Sequence, residues 1–434
     1  MIIKKIEIEN FKGIKNNQFY FNEQFNLIVG NNGTGKTSTL EAIIVALGGF
    51  LSGIDGVKST HFTKDEIRME KEMMGEGSVN IKYKTPVSVK CEISIHGYDF
   101  CFTRRKTSLN SSRSTIEPRD ICRMASDLIE ERDSILPVIS YQGFSRIANQ
   151  KRDKWNNPFS DDFSRSVGYT DCLEDASNTK MLVNWCKRME EVSWQLEKRI
   201  AEYEAVKQAV SKFMSIMLET DHIRVYYDKR AEELMYATEK ETLPIRILSS
   251  GFRTLIGMIY DIAYRMAILN PNLRDTVIYE TPGVVLIDEI DMHLHPKWQW
   301  KIIEALKQTF PKVQFIATTH SPIVISSCEN SSIIMLGSGG NHDLEVEYGI
   351  SKKGWQVNDV LEKVMETTER DPETEKKLRR ISDLSKKKLD HSISEAEFYE
   401  LNDLISEVKS LLPENDIAIE EAALLSIKEL IGDK

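Results

Sequence analysis

No apolar run in this 434-residue chain outlasts Ala42 to Leu51, and that stretch is too short to cross a bilayer. The amino terminus, Met1-Ile2-Ile3-Lys4-Lys5-Ile6-Glu7-Ile8, reads as a strand and carries no cleavable signal pattern. Together these absences predict a cytoplasmic protein with no membrane partner. The six cysteines are scattered and include no C-x-x-C pair, so they read as free thiols in a reducing compartment. Internal repeats and low-complexity segments are also missing. Positive charge is not in excess either: the net charge of −10 argues against nucleic-acid affinity over the whole surface. Two local basic clusters remain as candidates, Arg104-Arg105-Lys106 and Lys151-Arg152-Asp153-Lys154, with solvated loop charge as the plainer reading. An apolar content of 41% and a charged content of 29% are ordinary for a globular protein. The length allows two or three domains, or one large domain with insertions.

Against these absences stands Gly30-Asn31-Asn32-Gly33-Thr34-Gly35-Lys36-Thr37, which has the P-loop form G-x-x-x-x-G-K-T. Phe25 to Val29 before it reads as a short buried strand, and Thr37 to Leu47 after it as an apolar helix. Glycines let such a loop fold around phosphates, so that backbone N–H groups and the positive end of a helix point inward. Asn31, Asn32, Gly33, Thr34, Gly35, Lys36, Thr37 and Ser38 are therefore the expected nucleotide-binding residues. Lys36 would reach the β- and γ-phosphates, and the Thr37 hydroxyl would ligate Mg²⁺. A Gly-rich turn without a ligand is the structural alternative. ATP and Mg²⁺ are the expected cofactors.

A P-loop needs an acid for its cation. Val284-Val285-Leu286-Ile287 reads as a central strand that delivers Asp288 and Glu289 to its end. Asp288 would hold Mg²⁺ and Glu289 would polarise the attacking water. Paired acids after a strand also serve as helix caps. Val313 to Ala317 and Ile333 to Leu336 read as further strands, the last ending at a Gly337 to Asn341 turn. Val79 to Lys84, Val87 to His96 and Tyr98 to Thr103 read as an antiparallel meander over 79–104, with His96-Gly97 as a hairpin turn. Residues 107–118 read as an exposed loop. Leu182, Trp185, Met189, Val192, Leu196 and Ile200 recur at helical spacing, so residues 179–240 are expected to form a helical insert packed on a core. Residues 356–434 turn charged and amphipathic. Phe398, Leu401, Leu404, Ile405 and Val408 form one helical stripe there, and Leu424, Leu425, Ile427 and Leu430 another.

Three further segments lie in an informative order: Gln142 after a strand ending at Tyr141, Leu248-Ser249-Ser250-Gly251-Phe252 before an apolar helix near Thr254, and Thr318-Thr319-His320-Ser321-Pro322 after a strand. With the P-loop and the acidic pair, they resemble the Q-loop, signature and switch histidine of ABC-type ATPases. Adding the run Asp288-Glu289-Ile290-Asp291-Met292-His293-Leu294-His295-Pro296, the chain resembles the RecF, SMC and OLD-like group of that class. Within it the chain looks most like the PtuA-type ATPases of Septu anti-phage systems and their retron-linked relatives. The resemblance covers about residues 1–350, with 50–240 only loosely matched.

That resemblance implies an α/β fold: an ABC-type P-loop ATPase head over 1–350 with an antiparallel β subdomain and a helical insert, then a helical appendage over 356–434. It implies two copies facing head to tail, with ATP between the P-loop of one and the signature segment of the other, or a higher homo-oligomer. Ser249 and the Gly251 N–H would then contact the γ-phosphate, Gln142 would face Mg²⁺, and His320 would act beside Glu289 in catalysis. Phe252 stands where the signature usually has a polar residue, and His293-Leu294-His295 fills the D-loop, so slow hydrolysis is one expectation. Those histidines with Asp288 and Asp291 are an alternative metal site. OLD nucleases carry a C-terminal Toprim domain, which 356–434 is too short and too helical to form. The implied partner is therefore a separate HNH-type nuclease subunit, with nucleic acid reached through the complex and the helical tail as a docking surface or a self-packing element. A RecF-like repair ATPase that binds DNA directly is the competing expectation, and a transporter subunit a third.

Overall fold

The run Phe25–Gly30 is buried at every position, as expected of a strand covered on both faces. The computed structural model, which describes residues 1–73, 79–143, 164–175, 179–338, 344–349, 353–413 and 416, sets this strand inside a six-stranded sheet. Ile333–Ser338 lies on one side of it and Val313–Thr318 on the other, both parallel. Gly283–Ile287 follows Val313–Thr318, and Val138–Gln142 follows that, again parallel. Leu344–Tyr348 closes the far edge antiparallel. The strands that begin this sheet are wholly apolar or nearly so, because helices cover them.

A second sheet has five antiparallel strands in the order Ile14–Tyr20, Ile2–Phe11, Val87–Ile95, Tyr98–Lys106, Thr115–Glu117. His96 and Gly97 make its central hairpin turn, both with positive φ (50° and 81°). The helix after the P-loop, Lys36–Leu51, buries nearly its whole length among the strands of both sheets. Gln314 locks the two sheets together. Its amide accepts from the Ile3 N–H and donates to the Ile3 and Asn22 carbonyls at 2.7–2.8 Å, with no part exposed. A buried polar side chain in a central strand is tolerated because every one of its polar atoms is partnered.

The structure departs from the expected elements in four places. Within 107–118, expected as an exposed loop, Thr115–Glu117 is a short strand paired with Tyr98–Lys106. Ile14–Tyr20 is a strand that its Asn and Gln content hides. Val79–Tyr83 leaves the meander and pairs with Met69–Met73 in a separate ribbon. The 179–240 insert is only partly helical. Helices Thr179–Gln195 and Ala201–Leu218 are followed by a three-stranded antiparallel sheet, Arg224–Asp228, Glu233–Ala237 and Thr242–Pro244. Alternating β-branched and aromatic residues favour that ribbon, and the Asp228 carboxylate closes its turn by accepting from the Arg230 and Ala231 N–H groups. Of the helical stripe, Leu182, Trp185 and Met189 are core, while Leu196 is 60% exposed.

The described residues from Asn358 onward form a second compact unit. Pro372–Leu389 and Glu395–Leu411 pair as a helical hairpin over Ile381, Leu384, Leu401 and Val408. Asp371 caps the first helix, and Ser394 with Glu397 makes a capping box on the second. Expected turn and stripe residues Gly339 to Asn341 and Leu424 to Leu430 lie outside the described residues. No helix among the described residues is long and apolar enough to cross a membrane.

Gln314→Leu removes the link between the sheets and strands two buried backbone groups of Ile3. At roughly 1–3 kcal/mol for each orphaned group, the first unit should lose about 2–6 kcal/mol, read as a lower urea midpoint.

Candidate functional site

Four parallel strands end along one edge of the sheet, at Gly30, Thr318, Ile287 and Gln142. That edge collects the residues whose spacing suggested chemistry. After Gly30 the chain turns through Gly33 and Gly35 at φ of 83° and 97°, conformations open to glycine and costly for other residues. Gly35 begins the helix without a side-chain cap, so Lys36, Thr37 and Ser38 in the first turn leave backbone N–H groups for a ligand. Thr34 braces the loop by donating to the Asn31 carbonyl at 2.9 Å. Asn31, Asn32 and Gly33 are exposed. Lys36 is 6% exposed, and its ammonium donates to the Gly30 and Asn31 carbonyls at 2.7 and 3.0 Å. Burial pulls its pKa below the usual lysine value, against the attraction of Asp288, Glu289 and Asp291.

Thr37 donates to the Asp288 carboxylate, with oxygens 3.1 and 3.3 Å away. Thr318 binds the same carboxylate from the neighbouring strand at 2.6 Å, and its hydroxyl accepts the Glu289 N–H at 2.8 Å. The Asp288 N–H in turn donates to the Gln142 carbonyl at 2.9 Å. Glu289 sits at φ 52°, a left-handed turn that breaks the strand and leaves its side chain half-buried at the edge. The acids are not helix caps, since the next helical turn, Pro296–Gln299, is capped by His295.

The run after the acids is tied to the switch segment side chain by side chain. Thr319 donates to Asp291, which also accepts the His320 N–H at 3.3 Å. Ser321 donates to Gln299 at 2.6 Å while capping the helix Pro322–Ser327. His320 is thereby held at the end of the strand between the P-loop and the acids. The alternative His-x-His metal site does not assemble. His295 accepts from the Lys297 N–H, and no group of three His, Cys, Asp or Glu suited to a metal forms among the described residues.

Gln142 is 7% exposed. Its amide nitrogen donates to Ser140 at 2.8 Å and to Asp261 at 3.0 Å. Asp261 pairs with Arg265 one helical turn on, also at 3.0 Å. Burial opposes the Arg265 charge, yet Asp261 keeps its pKa above the ordinary arginine value. A cavity of about 440 Å³ opens between Gln142, Asp288 and Glu289 on one wall and Arg253, Gly257 and Met258 on the other.

That second wall is the helix Ser250–Leu269, which starts four residues earlier than Thr254 because Ser249 supplies its cap position. Ser249 is exposed, and its side chain makes no capping bond. Gly251 is required by packing, since a Cβ there would stand 2.5 Å from the His293 carbonyl. Phe252 packs edge-on to Trp298 at 4.9 Å and to Tyr236 at 5.8 Å. The unexpected aromatic of the signature therefore joins it to the segment after the acids.

The edge thus brings together Lys36, Thr37, Asp288, Glu289, Gln142 and His320, while Ser249 and Gly251 sit on a separate helix with no bond to the P-loop. Sequence reasoning missed Thr318 as the link between the acids, and Asp261 with Arg265 behind Gln142. An ion pair at i, i+4 inside an apolar helix was the available signal for the latter. The Arg104-Arg105-Lys106 patch does not exist as a surface. Arg104 and Lys106 are 1% and 6% exposed and bond the Thr60 and Phe62 carbonyls. Lys151 to Lys154 lies outside the described residues.

The chain also has likenesses among known proteins. A family profile described as an AAA domain matches residues 5–215, and one described as an AAA ATPase domain matches 171–325. The chain is 26% identical to the protein named "Retron Vc95 probable ATPase" of Vibrio cholerae serotype O1 biovar El Tor, over 76% of this chain and 72% of that one. It is also 26% identical to "Septu protein PtuA" of Bacillus thuringiensis, over 84% of each chain. Among solved structures, an SMC head bound to the C-terminal winged-helix domain of ScpA aligns with a TM-score of 0.49 and 17% identity, over 80% of this chain and 97% of that one.

Thr318→Val keeps the shape of the side chain but removes the bond to Asp288 and the acceptor for Glu289. A hydrogen bond to a charged group is worth about 1.5–3 kcal/mol, so ATP turnover should fall roughly 10- to 100-fold. Nucleotide affinity, measured by fluorescence titration, should stay within about threefold.

Proposed function

We propose that the chain is an ABC-type ATPase of the RecF, SMC and OLD-like group and the ATP-driven switch subunit of a prokaryotic anti-phage defence complex. The observation that carries this reading is the division of the motifs. The phosphate loop, the acids and the switch histidine share one sheet edge, while the signature serine is exposed at the start of a different helix. A nucleotide on that edge is completed by the Ser249 and Gly251 of a second copy, so ATP joins two copies head to tail. The names of the Septu and retron relatives support the defence setting, and a separate HNH-type nuclease is the controlled partner in this proposal.

The residues fit a magnesium ion. Thr37 and Asp288 offer hard oxygen donors about 3 Å apart at the mouth of the loop, the donor type that Mg²⁺ selects. When bound, the ion would neutralise charge on the β- and γ-phosphates. Lys36 exchanges the carbonyls of its own loop for phosphate oxygens, and first-turn N–H groups bind the remaining charge. Glu289, fixed through its N–H by Thr318, orients water at the γ-phosphate and takes up its proton. His320, fixed through its N–H by Asp291, donates to the γ-phosphate from the other side. Turnover separates the copies, so ATP binding and hydrolysis are the two positions of the switch.

Three substitutions separate these roles. Lys36→Ala should weaken ATP binding about 100-fold or more, the loss of two charge-assisted bonds. Glu289→Gln should bind ATP normally, cut turnover at least 100-fold and accumulate an ATP-dependent dimer in sedimentation velocity. Ser249→Arg should bind ATP as a single copy and form no such dimer. Co-purification with the product of a neighbouring gene tests the partner. A chain that never co-elutes with a nuclease, with or without ATP, contradicts the defence-complex reading.

A further inference from the structure

We propose that Asp261 is a positioning residue for the nucleotide site, acting by fixing which end of the Gln142 amide faces the cation. The inference rests on Gln142 being the glutamine turned toward that cation. A glutamine amide has a donating end and an accepting end of nearly the same shape, and only the accepting end is useful beside a cation. The choice between them is made behind the site. Asp261 accepts the Gln142 Nε2 at 3.0 Å, and Ser140 accepts it at 2.8 Å.

The Ser140 hydroxyl has its own donor spent on Asp261 at 3.0 Å, which leaves it an acceptor toward Gln142. An ionised carboxylate can only accept. Its charge is matched by Arg265, which is fully buried and anchored by the Gly168 and Thr170 carbonyls at 2.8 and 2.9 Å. Both partners of Nε2 are thus acceptors, and a flipped amide would set Oε1 against a carboxylate. Nε2 is held inward, and Oε1 makes no hydrogen bond within the described residues. Gln142, Asp261, Asp288 and Glu289 line one cavity, and Oε1 is the amide atom left to meet a cation there.

The position of Asp261 gives this a second consequence. Ser249 stands at the start of the same helix twelve residues earlier, about 18 Å away at 1.5 Å per residue. A single rigid helix therefore carries both the serine offered to a second copy and the carboxylate that sets Gln142. The pairing that costs most to bury in this helix is the one that touches the nucleotide site.

The test uses the full chain with Mn²⁺ as the probe cation and a non-hydrolysable ATP analogue, so that no turnover is needed. Mn²⁺ affinity is read by electron paramagnetic resonance, and folding by the melting midpoint. Asp261→Asn can present an amide nitrogen to Gln142 and allow the flip. It should weaken Mn²⁺ about tenfold while analogue affinity at saturating Mn²⁺ stays within about twofold. Ser140→Ala, which leaves the Asp261–Arg265 pair in place, should weaken Mn²⁺ about threefold and carries the test if Asp261→Asn does not fold. Neither substitution should change Mn²⁺ affinity further in a Gln142→Ala background. If Gln142→Ala weakens Mn²⁺ but the folded Asp261→Asn or Ser140→Ala protein does not, or if the effects add, the positioning role is overturned. If Gln142→Ala itself binds Mn²⁺ like the parent, the reading of Gln142 beneath it fails instead.

Discussion

One hydroxyl group organises the nucleotide site. Thr318 ends the strand that lies between the P-loop strand and the acidic strand. It donates to Asp288, which Thr37 also binds, and it accepts the N–H of Glu289. The strand order is what makes this possible. A single exchange of neighbours in the sheet would separate the phosphate loop from its acid. Thr319, the next residue, repeats the device on Asp291 and so holds His320. Two consecutive threonines thus fix two acids, Asp288 and Asp291.

In the proposed dimer this site is half of one. Ser249 and Gly251 belong to a helix that meets the acids across a cavity, and its packing is directed at the segment after the acids rather than at the P-loop. Phe252 is part of that packing. Its ring sits between Tyr236 of the three-stranded ribbon and Trp298 beyond the acidic run. An aromatic side chain there gives a rigid connection between the start of that helix and the segment after the acids.

Much of this was legible in the sequence because phosphate chemistry is local. The glycines, Lys36 and Thr37 must follow one another closely, and Asp288-Glu289 must follow a buried strand. What escaped depends on distant partners or on the pleat. Arg104 and Lys106 look like a basic patch in a row of letters, but alternate residues of a strand share a face, and theirs is the inner one. The 224–244 ribbon was hidden in a stretch read at helical period, although Val225, Tyr227 and Tyr236 alternate into a core. Asp261 gave no sign of its partner, since Gln142 lies 119 residues away.

The central claim is that a working site takes its P-loop from one copy and its signature from another. Mixing Lys36→Ala protein with Ser249→Arg protein tests it most directly. In a mixed head-to-tail dimer both lesions fall in one site and the other site is intact. The account predicts that two inactive preparations recover ATP turnover when combined, up to about one quarter of the parent rate for random pairing at equal amounts. A mixture as inactive as its components would contradict it.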